Sequence, residues 1–292
     1  MAVSPVSAAT EFSLRPMTSD DSAAGHCLTH DLGWPHTEQD WTFHLEHGRG
    51  WAAVDRDETV IGTALLWFYG DHDGTLGLVI VDKAFRGKGI ARILMEQVLE
   101  AAGARKIRLV ATEMAVKLYQ NLGFASPNKI KIAQRQGVIA GSTPLPTHDG
   151  TIVRVARKDD YTCFQTLDHD AVGMDRSSMI NSLLTSSASY VLQREGCIMG
   201  SVLVRESGRG KTFGPLIARN EADAKLLLSK ALSEHPGFCR IDIPEDAGSL
   251  GQWLDQKGLP VIDRGTLMQN FDIQPLKGSP YQIYSLVSQA LL

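Results

Sequence analysis

The residues best equipped for chemistry are Arg86-Gly87-Lys88-Gly89-Ile90-Ala91. Two glycines in a short loop let successive backbone N–H groups turn the same way without hindrance from a Cβ. An apolar run precedes the loop, and Ile90, Ile93, Leu94, Val98 and Ala101 follow at helical spacing. The first turn of that helix adds N–H donors and the positive end of a dipole. Arg86 and Lys88 add full charges. Such a nest suits a pyrophosphate; the plain alternative is a solvated glycine loop. A Walker loop needs G-x-x-x-x-G-K-[ST], but Asp82 stands where its first glycine should be, and Gly89 follows Lys88. A dinucleotide fingerprint needs a third glycine where Arg92 stands, and an acid after the next strand, near Leu109 and Val110. Both nucleotide patterns fail.

A second constellation runs from Pro16 to Gly48. It holds Asp20, Asp21, Asp31, Glu38, Asp40 and Glu46, the histidines 26, 30, 36, 44 and 47, and Trp34, Trp41 and Phe43, with no Lys or Arg. Acids with aromatics suit a cationic amine; the competing reading is a solvated acidic face. His26 and His30 stand one helical turn apart, but no third ligand has matching spacing, so no metal is expected. The four cysteines (Cys27, Cys163, Cys197, Cys239) lie far apart and fit a reducing cytoplasm.

These residues need elements to position them. The chain has 292 residues, enough for two ordinary domains. Its net charge of −4 argues against a nucleic-acid or anionic-membrane surface. No apolar run approaches the roughly 20 residues of a bilayer span. Residues 1–11 lack a basic start and an apolar run, and read as a disordered leader and not a signal peptide. Phe12–Arg15 reads as a strand, and residues 18–47 as mostly helical with a break at Gly33-Trp34-Pro35. Strands follow at 51–54, 60–69 and 76–81, the last apolar as if covered on both faces. A helix from Ile90 ends at Gly103. Then come a strand at 107–111, a helix at 114–121 and a strand at 130–133. The turn-rich stretch at 140–150 marks a boundary between domains at 12–140 and 150–292.

The two halves repeat. Trp51-AAVDRDETVIGTALL aligns with Tyr190-VLQREGCIMGSVLV, and LYQNLGF (118–124) with WLDQKGL (253–259). Two matches in one order indicate a duplicated fold.

R-x-x-G-x-A after V-x-x-x-x-R-G, followed by the helix-Gly-Phe element Leu118-Tyr119-Gln120-Asn121-Leu122-Gly123-Phe124, resembles the GNAT superfamily of acyl-CoA-dependent N-acyltransferases. Lys83 replaces a usual proline, and Thr112 an asparagine common seven residues before the tyrosine. The resemblance implies an α/β (α+β) fold of two tandem GNAT-like domains, each a mixed sheet flanked by helices. It implies acetyl-CoA as co-substrate, with Val79, Ile80 and Val81 holding pantetheine and thioester, and Arg86, Gly87, Lys88, Gly89, Ile90, Ala91 and Arg92 holding the pyrophosphate. Tyr119 would be the general acid on the departing thiolate. The Val81 N–H is the candidate donor to the thioester oxygen. The acidic segment would wall the acceptor pocket, with Trp34, Glu38, Asp40 and His44 as substrate contacts. The base is open among Glu38, Asp40, His44 and Glu113.

The second half lacks this chemistry. Phe213–Asp223 carries no R-x-x-G-x-G, and Leu254 stands opposite Tyr119. The chain is similar to two-domain bacterial members with a degenerate second half, whose G-x-D-R turn is matched by Gly173-Met174-Asp175-Arg176; Asp175 could equally just cap the next helix. The leading expectation is direct acetyl transfer to a primary amine of a small cationic molecule, without a covalent enzyme intermediate, since no cysteine adjoins either motif. The alternatives are a non-catalytic acetyl-CoA-binding module and a protein or peptide N-acetyltransferase. The chain is expected to be a monomer or homodimer.

Overall fold

The computed structural model describes residues 12–126, 129–246, 248–272 and 278–292; the expected leader at 1–11 lies outside them. The described residues form two compact units, those of 12–66 with 78–103, and those of 67–77 with 104–292.

The first unit contains β1 (Ser13–Pro16), α1 (Ser22–Asp31), α2 (Glu38–His47), β2 (Arg49–Val54), most of β3 (Val60–Tyr69), the end of β4 (Asp73–Val81) and α3 (Ile90–Ala102). Strands β1, β2 and β3 pair antiparallel. Helix α3 buries Ile90, Leu94, Met95, Val98 and Ala102, the stripe its period dictates. It ends where Gly103, at φ 61°, sends its N–H back to the Leu99 carbonyl. The break between α1 and α2 follows Gly33 at φ 72°. Trp41 is fully buried, its ring seated over Gly25 and its Nε1 donating to Thr29 Oγ1 at 3.1 Å.

The second unit contains β5 (Lys106–Ala111), α4 (Val116–Asn121), β6 (Lys131–Ile139), β7 (Thr151–Val155), α5 (Tyr161–Val172), α6 (Ser177–Ser186), β8 (Ala188–Arg194), β9 (Cys197–Ser207), β10 (Gly210–Ala218), α7 (Glu221–Glu234), β11 (Gly237–Pro244), α8 (Gly248–Gln256), β12 (Val261–Gln269) and β13 (Gln282–Ser285). A mixed sheet runs β5-β12-β6-β11-β10-β9-β8-β7, with β13 also on β10. Its order is not that of two closed sheets. Strand β12 inserts between β5 and β6, pairing Thr266 with Ala111 and Gly265 with Ile132. Strand β6 in turn pairs with β11 from Ile132 to Ile139. The strand expected at 130–133 is therefore longer, because it has a partner on each side.

The repeat is visible in structure. Gly62 lets β3 approach the Ile80 carbonyl and α3's Leu94; Gly200 lets β9 approach the Ile217 carbonyl and α7's Leu227. An Arg-x-x-x-x-x-Asp clamp recurs as well. Arg15 grips Asp21 through two hydrogen bonds of 2.9 and 2.8 Å, and Arg154 grips Asp160 at 2.7 and 3.0 Å. Each aspartate also accepts a backbone N–H, from Thr18 or Arg157. The arginine holds each carboxyl below its ordinary pKa.

Candidate functional site

In the first unit, β4 leads into the glycine loop. The expectation that this strand is covered on both faces is corrected. Leu78 and Ile80 are buried, whereas Val79 and Val81 are half-buried, so one side of the strand is open. Leu78 takes φ 50°, and its carbonyl accepts from the buried Thr63 Oγ1 at 2.8 Å. The Asp82 N–H donates to the Ile61 carbonyl of β3 at 2.9 Å. Peptide groups alternate along a strand, so those of Val79 and Val81 point away from β3 and that of Ile80 toward it. The outward Val81 carbonyl accepts from Arg86 Nε at 3.2 Å, which ties the arginine to the strand end.

Asp82 Oδ1 accepts the Ala84 N–H at 2.7 Å and starts the turn. Gly87 and Gly89 both have φ of 80°, and a Cβ on either would meet nothing within 4 Å. Glycine is needed here for the left-handed backbone, and the space above it is open. The N–H groups of Ile90, Ala91 and Arg92 begin α3 and have no carbonyl one turn earlier to bond. Lys88 lies 5.3 Å from the Phe85 ring centre. This is a cradle built from backbone and rimmed by two cations, an arrangement that suits an anion.

An open cleft of about 130 Å³ adjoins the strand end, lined by Leu28, Asp31, Leu32 and residues 80–83. Lys83 Nζ donates to the Asp31 carbonyl at 2.7 Å, bridging α1 to the loop. Asp31 and Asp82 both line the cleft; the Asp31 carboxylate is exposed, 3.7 Å from His30 Nδ1, and the Asp82 carboxylate is the one that starts the turn. The other candidate residues divide. Glu38 is exposed, 4.0 Å from His26 Nδ1. Asp40 is 6% exposed and caps α2, accepting from Thr37 N and Oγ1 at 2.8 Å each. Trp34, His36 and His44 form a chain of rings with centres 6.0 and 6.1 Å apart, with His44 buried on α2. Asp21, counted among the acids, is committed to Arg15.

Tyr119 lies in the second unit, on α4. It is 5% exposed, with Phe124 edge-on at 6.0 Å, and Gly123 ends the helix at φ 87°. Burial alone drives its pKa upward, and no described residue hydrogen-bonds its hydroxyl. The phenol is thus protonated at neutral pH and has a proton to give. Glu113, the one base candidate here, stands in the short turn before α4 and is exposed.

The second half has counterparts that are filled by its own chain. β10 pairs in parallel with β11 at Lys211 and Thr212, and then Leu216–Ala218 pair with β13 instead. A strand of this protein occupies the edge that Val79–Val81 leave open in the first half. At the start of α7, Glu221 accepts Ser249 N and Oγ (2.9 and 2.5 Å) and Leu250 N (3.1 Å), and so caps α8 with a carboxylate. Asp223 pairs with Arg194 at 2.8 Å. Of the two readings of the G-x-D-R turn, the cap is seen directly, and Arg176 has a role that the sequence reading did not foresee. Asp175 accepts from Ser177 N and Oγ and caps α6. Arg176, fully buried, grips Asp168 at 3.0 and 2.6 Å and donates to the carbonyls of Leu291, at 2.9 Å, and Leu292. Sequence reasoning missed the segment after β13 entirely. The repeated Arg-x-x-x-x-x-Asp spacing could have been found.

Among the described residues no helix is long and apolar enough to cross a membrane, and no group of His, Cys, Asp or Glu could hold a metal ion. Residues 17–124 match the model of the acetyltransferase (GNAT) family, and residues 164–285 match an acetyltransferase (GNAT) domain model. An uncharacterised N-acetyltransferase of Bacillus subtilis, YitH, is 26% identical over 268 residues, covering 90% of this chain and 93% of that one. A putative acetyltransferase from Pyrococcus horikoshii has the same fold at a TM-score of 0.76 and 19% identity, over 100% and 99% of the two chains. A tandem GNAT protein from the clavulanic acid biosynthesis pathway superposes at 0.63, with 13% identity over 90% and 100%. The chain belongs to the GNAT family of acyltransferases and carries two such domains in tandem, the second without the first one's cradle and tyrosine.

Proposed function

We propose that this protein transfers an acetyl group from acetyl-CoA directly to a primary amine of a small, cationic molecule. The observation that carries this reading is the cradle at Arg86–Arg92, where two left-handed glycines border open space and the first turn of α3 carries N–H groups without helical partners. Acetyl-CoA supplies an activated thioester. The cradle fixes its pyrophosphate, and the outward peptide groups of Val79 and Val81 offer an edge for its pantetheine arm. We assign the Val81 N–H as the donor to the oxygen that gains charge when the amine attacks. Tyr119 supplies the proton the departing thiolate needs. Most of the acceleration then comes from holding a neutral amine near the carbonyl carbon.

The cationic character of the acceptor rests on exposed Asp31 at the first unit's cleft and on exposed Glu38 of α2. Asp40 and Asp21 are tied into caps and clamps, whereas exposed Asp31 and Glu38 can meet a substrate. The test is thiol release from acetyl-CoA with a panel of polyamines, basic amino acids and amino-sugars, against neutral and anionic amines. Preference for the cationic set is the expected result. A preferred neutral or anionic amine would overturn the charge argument, and binding of acetyl-CoA without turnover of any amine would overturn the enzymatic reading.

A further inference from the structure

The cleft beside the strand end lies wholly within the first unit, and its walls are hydrocarbon. Leu28 and Ile80 are buried, and Leu32 and Val81 are half-buried. Its polar groups are engaged. Asp82 Oδ1 holds the Ala84 N–H. The Asp31 carboxylate is exposed at the rim, beside His30. A helix end leaves its last carbonyls without helical partners, yet those of α1 are met one by one. The Thr29 carbonyl accepts from Leu32 N and Trp34 N at 3.2 and 2.9 Å, that of His30 from Gly33 N at 2.8 Å, and that of Asp31 from Lys83 Nζ at 2.7 Å. Lys83 therefore spans from the strand end to the end of α1 and bounds the cleft there. An ammonium inside would meet the side chains of Leu28, Leu32 and Ile80 and the like charge of Lys83. The rim can meet a cation; the interior is built for something apolar.

Position decides what enters. Val81 lines the cleft, and its N–H is the donor assigned above to the thioester oxygen. A carbonyl carbon held by that donor has its acyl substituent beside the cleft. Acetyl offers one methyl group. The cleft measures about 130 Å³, and an apolar cavity of about 150 Å³ takes up a benzene molecule. With acetyl alone, most of the hydrocarbon wall stays against water.

We propose that this cleft is an acyl pocket, which seats the chains of acyl-coenzyme A donors longer than acetyl, and that Lys83 limits their length. This rests on the transfer reading above and widens its donor. The reaction balances as it does for acetyl. The amine nitrogen bonds the carbonyl carbon and the carbon–sulfur bond breaks; the amine gives up one proton and the thiolate takes one up.

Calorimetry on the full chain tests this without knowledge of the amine. The probes are coenzyme A and its acetyl, butyryl, hexanoyl and octanoyl thioesters. A buried methylene is worth about fourfold in affinity. Butyryl-CoA, two methylenes longer than acetyl-CoA, should bind about tenfold more tightly, because an open cleft buries them incompletely. Octanoyl-CoA should bind no more tightly than hexanoyl-CoA, because Lys83 stops the chain. In Lys83→Ala that end is open, and octanoyl-CoA should bind at least about fivefold more tightly than hexanoyl-CoA. Equal affinity for the acetyl and butyryl thioesters overturns the proposal. So does affinity that climbs through octanoyl in the unaltered chain, or a limit that Lys83→Ala leaves in place. Should Lys83→Ala not fold, as read by its circular dichroism, the series on the unaltered chain decides alone. If neither coenzyme A nor any thioester binds, the transfer reading itself falls; binding indifferent to chain length defeats only this one.

Discussion

Replacing Tyr119 by Phe removes one oxygen and little else. The ring stays buried against Phe124, and the lost hydroxyl bonds no described residue, so among the described residues no hydrogen bond is broken. Stability should therefore hold within about 0.5 kcal/mol, as for a substitution that makes no cavity and strands no partner. Acetyl-CoA affinity should hold as well, because the acid acts on charge that develops only as the thiolate leaves. The rate should not hold. Losing a positioned general acid costs about 10²–10⁴ in kcat, or roughly 3–5 kcal/mol of barrier. The assay is thiol release at saturating acetyl-CoA and amine, with calorimetry for affinity. Burial raises the phenol's pKa, so the acid stays protonated through the neutral and mildly alkaline range. The wild-type rate should climb with pH as the amine deprotonates, with no falling limb below about pH 10, the ordinary tyrosine value. A kcat within about twofold of wild type, or a falling limb near neutrality, would refute the assignment of the proton to Tyr119.

Calorimetry should give one acetyl-CoA per chain, because β13 and Glu221 fill the second half's counterpart; a stoichiometry of two contradicts this. Gly87→Glu with Gly89→Glu should abolish that binding, since both positions have φ 80° and the new carboxylates repel phosphate. Arg176→Met leaves Asp168 buried without its partner and should cost about 3–5 kcal/mol in urea unfolding, part of it recovered in Arg176→Met with Asp168→Leu. Glu38→Gln should raise KM for a cationic amine more than it lowers kcat, and added salt should shrink the difference, because Glu38 is exposed. An equal loss in kcat would assign Glu38 to the chemistry instead.

The sequence was legible where local chemistry decides the outcome. Gly87, Gly89, Gly103 and Gly123 each announce a left-handed turn, and the stripe of α3 follows from its period. The two aligned hairpins did reflect a repeat, since Gly62 and Gly200 make the same close approach to a neighbouring strand. Pairing between distant strands was not legible. Nothing local in residues 261–269 says that they belong beside β5, and nothing in 282–290 says that they run along β10 and then reach Gly77. The acids of 16–48 looked alike as letters. Only partners distinguish Asp21 and Asp40, which hold backbone in place, from Asp31 and Glu38, which face solvent.

The insertion of β12 between β5 and β6 also sets a timetable. A ribosome delivers β5 and β6 long before β12, and until then each shows an unpaired edge toward the other. Ala111 must wait for Thr266, and Ile132 for Gly265. Contacts so distant in the chain form slowly, and open strand edges invite pairing with other chains meanwhile. A chain halted after residue 150 would keep its cradle residues and its tyrosine yet carry three sticky edges, one on β5 and both of β6. The duplicated half that lacks the first half's cradle and tyrosine therefore cannot be discarded, since it supplies β11 and β12, the strands that cover all three.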